Sequence, residues 1–341
     1  MKNNRWIYWL KLLAGIVLLI VLYRKISQRD SIIEAFQVTD WFNIFLCALL
    51  LIPNIFLAFL KWFYLLKNRF ENVSAKETFG SLLFGYTLGL MTPGRLGELG
   101  RGLFFTNRNK FTVTGLNLLD KFANQIVFFT LGGTAITLLV FNHQILEINQ
   151  VLPWMGAGWL IILSLWFLVL NPFLVRKLLQ RLNRRFSGES QIQALIAAYD
   201  KITFKDSVVV LGLSLLWVFV ITYQYHILVL AFTGVSLWDS FQAVNATLLI
   251  KTLLPFTFGD LGIREGVAVF FYSQFRVSSA AVFNASLLVF LINFLIPAVS
   301  GIYYVFQLRE LKNGQKETSP EQLLPTSLGY STVVESKLND D

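Results

Sequence analysis

Apolar residues run almost unbroken along six stretches of the chain, at about 6–23, 41–66, 112–141, 153–170, 206–232 and 281–307, with polar residues between them. A helix rises about 1.5 Å per residue and the hydrocarbon core is roughly 30 Å thick, so each stretch is long enough to cross a bilayer. Two further segments break this pattern. Residues 79–110 and 238–276 each hold an apolar leg of about 15 residues, a glycine-containing turn with charges, and a second, amphipathic leg. Legs of that length reach the membrane interior without comfortably crossing it, which predicts two re-entrant helical hairpins. The fold expected is all-α and polytopic, with about six full spans and two hairpins.

Composition supports this reading. Of 341 residues, 55% are hydrophobic and 14% charged, against about 25% charged in soluble domains, and the mean hydropathy is +0.60. The first apolar run follows Lys2 and Arg5, but it has no small-x-small cleavage site before Arg24 and is read as an uncleaved span. Cys47, the one cysteine, excludes an intrachain disulfide and a CxxC site.

The net charge is +9 and the pI near 9.6. Basic residues flank apolar runs and do not interleave with aromatics on a soluble face, which argues against nucleic acid and for anionic lipid headgroups as partners. They also set topology. Residues 171–205 form a polar loop carrying Arg176, Lys177, Arg181, Arg184, Arg185, Lys201 and Lys205, whereas the loops 142–152 and 233–240 carry no lysine or arginine, so the first is expected inside and the others outside. The N-terminus and the C-terminal tail then fall in the cytoplasm. Arg24, Lys25 and Arg29 dissent, accompanied by Asp30, Glu34 and Asp40.

With this topology the hairpins enter from opposite sides, as an inverted repeat produces. A shift of 165 residues lays TLGLMTPGRLG (87–97) on TLLPFTFGDLG (252–262) with six of eleven positions identical, and carries 41–141 onto 206–306. The membrane domain is expected over 1–307, with repeat units of about 41–141 and 206–307. Residues 308–341 are polar and lack apolar periodicity, and read as a disordered tail.

The two turns hold the candidate chemistry. A backbone that leaves its helix at membrane depth must line a polar cavity or lie within protein. Thr92, Pro93, Gly94 and Gly97 in the first turn, and Pro255, Thr257, Gly259 and Gly262 in the second, supply the turn backbone. The helix that follows each turn would aim free N–H groups and its positive dipole end into the cavity, a setting for phosphate. Charges cluster at the same places: Arg95, Glu98 and Arg101, then Lys251, Asp260, Arg264 and Glu265. Ionisable groups at this depth are candidate substrate contacts, and an arginine fork holds phosphate bidentately. Arg95 with Glu98, and Glu98 with Arg101, are also three apart and can pair with one another. Both readings fit the sequence. Asp120 and Lys121 close the cavity or simply begin a solvated helix, and His226 is read as a hydrogen-bonded structural histidine. No HExxH, Cys/His cluster or Walker sequence occurs, so no catalytic residue, metal or cofactor is expected and the chain is not read as an enzyme.

TPGRLGELGRGLFF (92–105) and LLPFTFGDLGIREGVAVFF (253–271) resemble the paired motifs of the flippase-like transmembrane domain of lysylphosphatidylglycerol synthases and its stand-alone bacterial and archaeal relatives, over about residues 6–307. The matching positions are Pro93, Gly94, Gly97, Glu98 and Arg101, then Pro255, Gly259, Gly262 and Glu265. The resemblance implies a lipid-handling domain in a prokaryotic plasma membrane. The synthases carry a soluble aminoacyltransferase domain after the membrane part, for which the 34 residues beyond 307 are too few, so aminoacyl transfer is not expected. The sequence thus points to a translocase of an anionic or phosphate-bearing lipid. Two other readings stand beside it: an accessory subunit of a separate lipid- or glycan-modifying enzyme, and an ion-coupled transporter of a small anionic solute. Nothing in the sequence sets the oligomeric state.

Overall fold

Helix starts along this chain are written by short polar side chains. Asp40 accepts from the Phe42 amide at 3.0 Å ahead of α2, Ser74 from Glu77 at 3.1 Å ahead of α4, and Ser236 from Asp239 at 3.0 Å ahead of α10. Thr203 and Asp206 form a reciprocal capping box ahead of α9. The computed structural model describes residues 5–28, 32–33, 39–92, 94–143, 147–185, 190–254, 257 and 260–308. Within them the order is α1 (Arg5–Ser27), α2 (Trp41–Leu49), α3 (Leu51–Arg69), α4 (Ala75–Leu90), a 3-10 helix (Leu96–Phe104), α5 (Lys110–His143), α6 (Ile148–Leu170), α7 (Pro172–Arg185), α8 (Ser190–Ala197), α9 (Phe204–Leu230), α10 (Leu237–Leu253), α11 (Ile263–Ser273), α12 (Ser279–Phe290), a π turn (Leu291–Leu295) and α13 (Ile296–Ser300). No strand occurs among the described residues.

Among the described residues, five stretches are long and apolar enough to cross a membrane: Trp41–Arg69, Lys110–His143, Ile148–Leu170, Phe204–Leu230 and Ser279–Leu308. The chain is an all-α, multi-pass membrane protein. The span expected at 41–66 is two helices meeting at Leu50, and the last expected span carries the π turn. Residues 171–205, expected as a loop, contain two helices; α7 is amphipathic, placing Phe173 and Leu178 on a helix with five basic residues. Pro93, Pro255, Gly259, Arg29, Asp30, Glu34 and the tail from 309 onward lie outside the described residues.

Both expected hairpins are present. α4 packs against the 3-10 helix, and α10 against α11. Their packing is reciprocal: α4 also lies along α13, while α10 lies along α5. Each close approach uses a glycine. A Cβ on Gly301 would strike the Leu83 carbonyl, and one on Gly132 would strike Leu249 and the Asn245 carbonyl. Thr87 Oγ1 donates to Ala298 O at 2.6 Å across the first crossing. These crossings bring the tips of the two hairpins together at the middle of the bundle, and α1 covers the second tip from the side, with Gly15 against Thr257 and Leu18 against Gly262.

Candidate functional site

The tips are joined by their backbones. Gly94 N donates to Thr257 O at 3.2 Å, so the first turn hydrogen-bonds the second. Both turns use the left-handed region at matching places. Arg95 has φ 58° and Asp260 φ 63°, and these are positions that the 165-residue shift superposes. Gly94 and Gly262 also have positive φ, at 57° and 82°. Arginine and aspartate rarely adopt this conformation, which costs of order 1 kcal/mol or more per residue and persists where surrounding structure enforces it. Gly97 serves differently: its φ is not positive, but a Cβ there would collide with the Leu88 carbonyl. Thr92 Oγ1 accepts from Gly97 N at 2.5 Å and closes the first turn.

Around the joined tips lies a cavity of about 380 Å³. Arg95, Glu98 and Arg101 line it from the first turn, and Lys251, Asp260 and Arg264 from the second. Lys61, Asp120 and Lys121 complete the charged wall. Glu265 does not line the cavity; it lies fully buried behind Arg264. Leu96 and Leu118 line the cavity and are also exposed, giving it an apolar rim.

The charges are extensively paired. Glu98 receives Arg95 and Lys121, with Arg101 at 3.8 Å. Asp120 holds Lys61 at 2.9 Å and Arg101 at 3.1 Å. Lys251 faces Asp260 at 3.5 Å, and Arg264 pairs with Glu265. The self-pairing foreseen for Glu98 is therefore present and extends to every carboxylate in the cluster. It does not exhaust the cations, since six of them meet four carboxylates: Lys61, Arg95, Arg101, Lys121, Lys251 and Arg264 against Glu98, Asp120, Asp260 and Glu265. Accessibility separates them. The Lys121 and Arg95 side chains are 34% and 26% exposed, whereas Glu98, Arg101, Asp120 and Lys61 are 4% or less.

Aromatic rings complete the cationic sites. Arg95 stands 4.1 Å from the Phe294 ring centroid, Arg101 5.3 Å from Trp62 and Arg264 5.2 Å from Phe290. Phe294 belongs to the π turn, a feature that often re-aims side chains at functional sites. Its neighbour Asn293 exchanges hydrogen bonds with Gln224 at 2.9 and 3.0 Å, Asn54 donates to Gln224 at 2.8 Å, and Trp217 donates to Asn54 at 2.8 Å. This buried amide network forms one side of the cavity.

Two sequence expectations are corrected here. The second helix does not present all of its first amides free, because Glu265 Oε2 accepts from Gly262 N at 2.6 Å and Arg264 N donates to Asp260 O at 3.0 Å. The first turn leads into a 3-10 helix whose early amides are taken by Thr92 and by the Arg95 carbonyl. Six cationic side chains supply positive potential in the cavity. Asp120 and Lys121 do not begin a solvated helix, since they lie inside α5 and Asp120 is buried. Lys61 was not foreseen. Its signal was a single lysine seven residues after Asn54 in an otherwise uncharged apolar run. His226 Nδ1 lies 2.9 Å from Ser240 Oγ, a structural contact away from the cavity wall.

No match was found among curated proteins, and none among solved structures. Residues 8–301, nearly all of the membrane part and both hairpins, match the family described as the lysylphosphatidylglycerol synthase TM region. The chain belongs to that family of membrane domains.

Proposed function

We propose that this protein moves an anionic, phosphate-bearing lipid headgroup between the leaflets of a prokaryotic plasma membrane, with both termini in the cytoplasm. The observation carrying the reading is the shared cavity: two hairpin tips bonded through Gly94 and Thr257, a cationic surplus on the wall, and an apolar rim at Leu96 and Leu118. A headgroup enters the charged space while its acyl or prenyl chains remain in the bilayer beyond the rim. Arg95, Lys121 and Lys251 are the contacts it meets first; Arg101 and Arg264 are held by buried carboxylates and shape the potential. Rocking of one span–hairpin–span unit against the other would expose the headgroup alternately. The proposed chemistry is translocation without a covalent step.

The test is reconstitution of the purified chain in proteoliposomes containing a fluorescent anionic phospholipid, with leaflet exposure read by a membrane-impermeant quencher. Movement above protein-free vesicles that falls on Arg95→Gln with Lys121→Gln supports the reading. No movement by the folded chain favours an accessory subunit, and movement of a soluble anion driven by an ion gradient favours a solute transporter.

A further inference from the structure

The cavity wall carries more information than its sign. All four carboxylates are already engaged: Glu98 and Asp120 each accept from more than one cation, Asp260 faces Lys251, and Glu265 holds both Arg264 and the Gly262 amide. Each is at least partly neutralised, Asp260 by a single contact at 3.5 Å, so an ammonium group on a ligand would meet a wall whose net sign is positive. Six cations and four carboxylates leave two positive charges without a protein counter-charge. The two most accessible cations of the Glu98 cluster, Arg95 and Lys121, bracket that carboxylate from its two flanking elements, the first turn and α5. A ligand oxygen pair can draw both toward the cavity while Arg101 stays against Glu98.

Resting on the lipid-translocation reading above, we infer that the site is built for a phosphomonoester, a headgroup ending in a terminal phosphate that carries two negative charges, and that it discriminates against phosphodiester and cationic headgroups. A phosphomonoester at neutral pH carries about −1.5 to −2 charges and three acceptor oxygens, whereas a phosphodiester carries one charge and a lysine-bearing diester is net positive. The two-charge ligand neutralises the surplus, and the one-charge ligand leaves a partly exposed cation of the cavity wall without a counter-charge, which costs more there than in open water. Volume agrees. At about 380 Å³ the space is near the lower end of ligand pockets, which run from roughly 300 to 1,000 Å³, and suits a compact terminal phosphate.

The experiment is native mass spectrometry of the detergent-purified chain offered equal amounts of dioleoyl phosphatidic acid, phosphatidylglycerol, phosphatidylcholine and lysylphosphatidylglycerol, with inorganic phosphate as a soluble competitor. Phosphatidic acid should be retained about tenfold or more over phosphatidylglycerol, the effect of about 1.4 kcal/mol, with the other two at background. Lys121→Gln should reduce that ratio severalfold; because the wild-type series stands alone, an unstable variant does not decide the matter. Equal retention of phosphatidic acid and phosphatidylglycerol, or retention of lysylphosphatidylglycerol, overturns the inference. Displacement by equimolar inorganic phosphate upholds the phosphomonoester chemistry but assigns it to a soluble anion. Selective binding of phosphatidic acid without movement in proteoliposomes upholds the site and overturns translocation.

Discussion

Lys61 and Asp120 offer a quantitative test of the buried charge network. Asp120 serves two cations, Lys61 at 2.9 Å and Arg101 at 3.1 Å, and both Lys61 and Asp120 are almost fully enclosed. Replacing Asp120 by Asn leaves buried Lys61 with no counter-charge and Arg101 with only Glu98 at 3.8 Å, and removing one partner of a buried pair costs about 3–5 kcal/mol. Replacing Lys61 by Met leaves Asp120 still paired with Arg101 and keeps an apolar stem of similar length, so the loss is about 1–2 kcal/mol. The order reverses in the variant background. Once Asp120 is Asn, Lys61 keeps its hydrogen bonds to Asn124 and Ser214 but has no counter-charge, and adding Lys61→Met should restore stability by about 1–3 kcal/mol. Cys47 supplies the readout: it is the only cysteine, it is fully buried, and a thiol-reactive fluorophore labels it as the bundle opens on heating. At roughly 2–4 °C per kcal/mol, Asp120→Asn should lower the labelling midpoint by about 10 °C, and the double variant should recover part of that. A Lys61→Met substitution that destabilises both backgrounds equally would refute the shared-counter-ion geometry.

Three further outcomes follow from the same contacts. Gly97→Ala should lose folded yield and labelling midpoint, because its Cβ meets the Leu88 carbonyl, while Gly156→Ala, with open space around it, should behave as wild type. Thr203→Ala removes half of the capping box on α9 and should cost about 1 kcal/mol, a few degrees in the same assay, with the charged cavity untouched. Glu265→Gln preserves a side-chain acceptor for the Gly262 amide but removes the charge facing Arg264, so a midpoint lowered by several degrees, and lowered further in Glu265→Ala, separates the ion pair from the cap.

Much of the architecture was legible because bilayer thickness converts run length directly into topology. The hairpins announced themselves by legs too short to span and by charged glycine turns, and the structure places helices, turns and charges there. The internal match of 87–97 with 252–262 also located an unforeseen detail, the shared left-handed conformation at Arg95 and Asp260. What stayed hidden depends on partners distant in sequence. Lys61 reads as a stray charge until α5 brings Asp120 and Asn124 beside it. Asn54, Gln224 and Asn293 are unremarkable polar residues in three separate apolar runs, and only packing makes them one network. Free amides at the hairpin starts followed from generic helix geometry, but Glu265 folds back onto its own helix. The amphipathic helix α7 went unread because its basic residues were taken for their sidedness alone.

The bond from Gly94 N to Thr257 O has a consequence for mutagenesis. Its donor and acceptor are main-chain atoms, so alanine scanning, which edits only side chains, leaves this backbone link between the two tips in place. A substitution at Gly94 would register as strain in its left-handed backbone and not as loss of the hydrogen bond. Exchanging the Gly94 amide for an ester through backbone-modifying synthesis deletes the donor while leaving every side chain in place. That edit would reveal whether the tips are fastened for the sake of the fold or must part on each cycle.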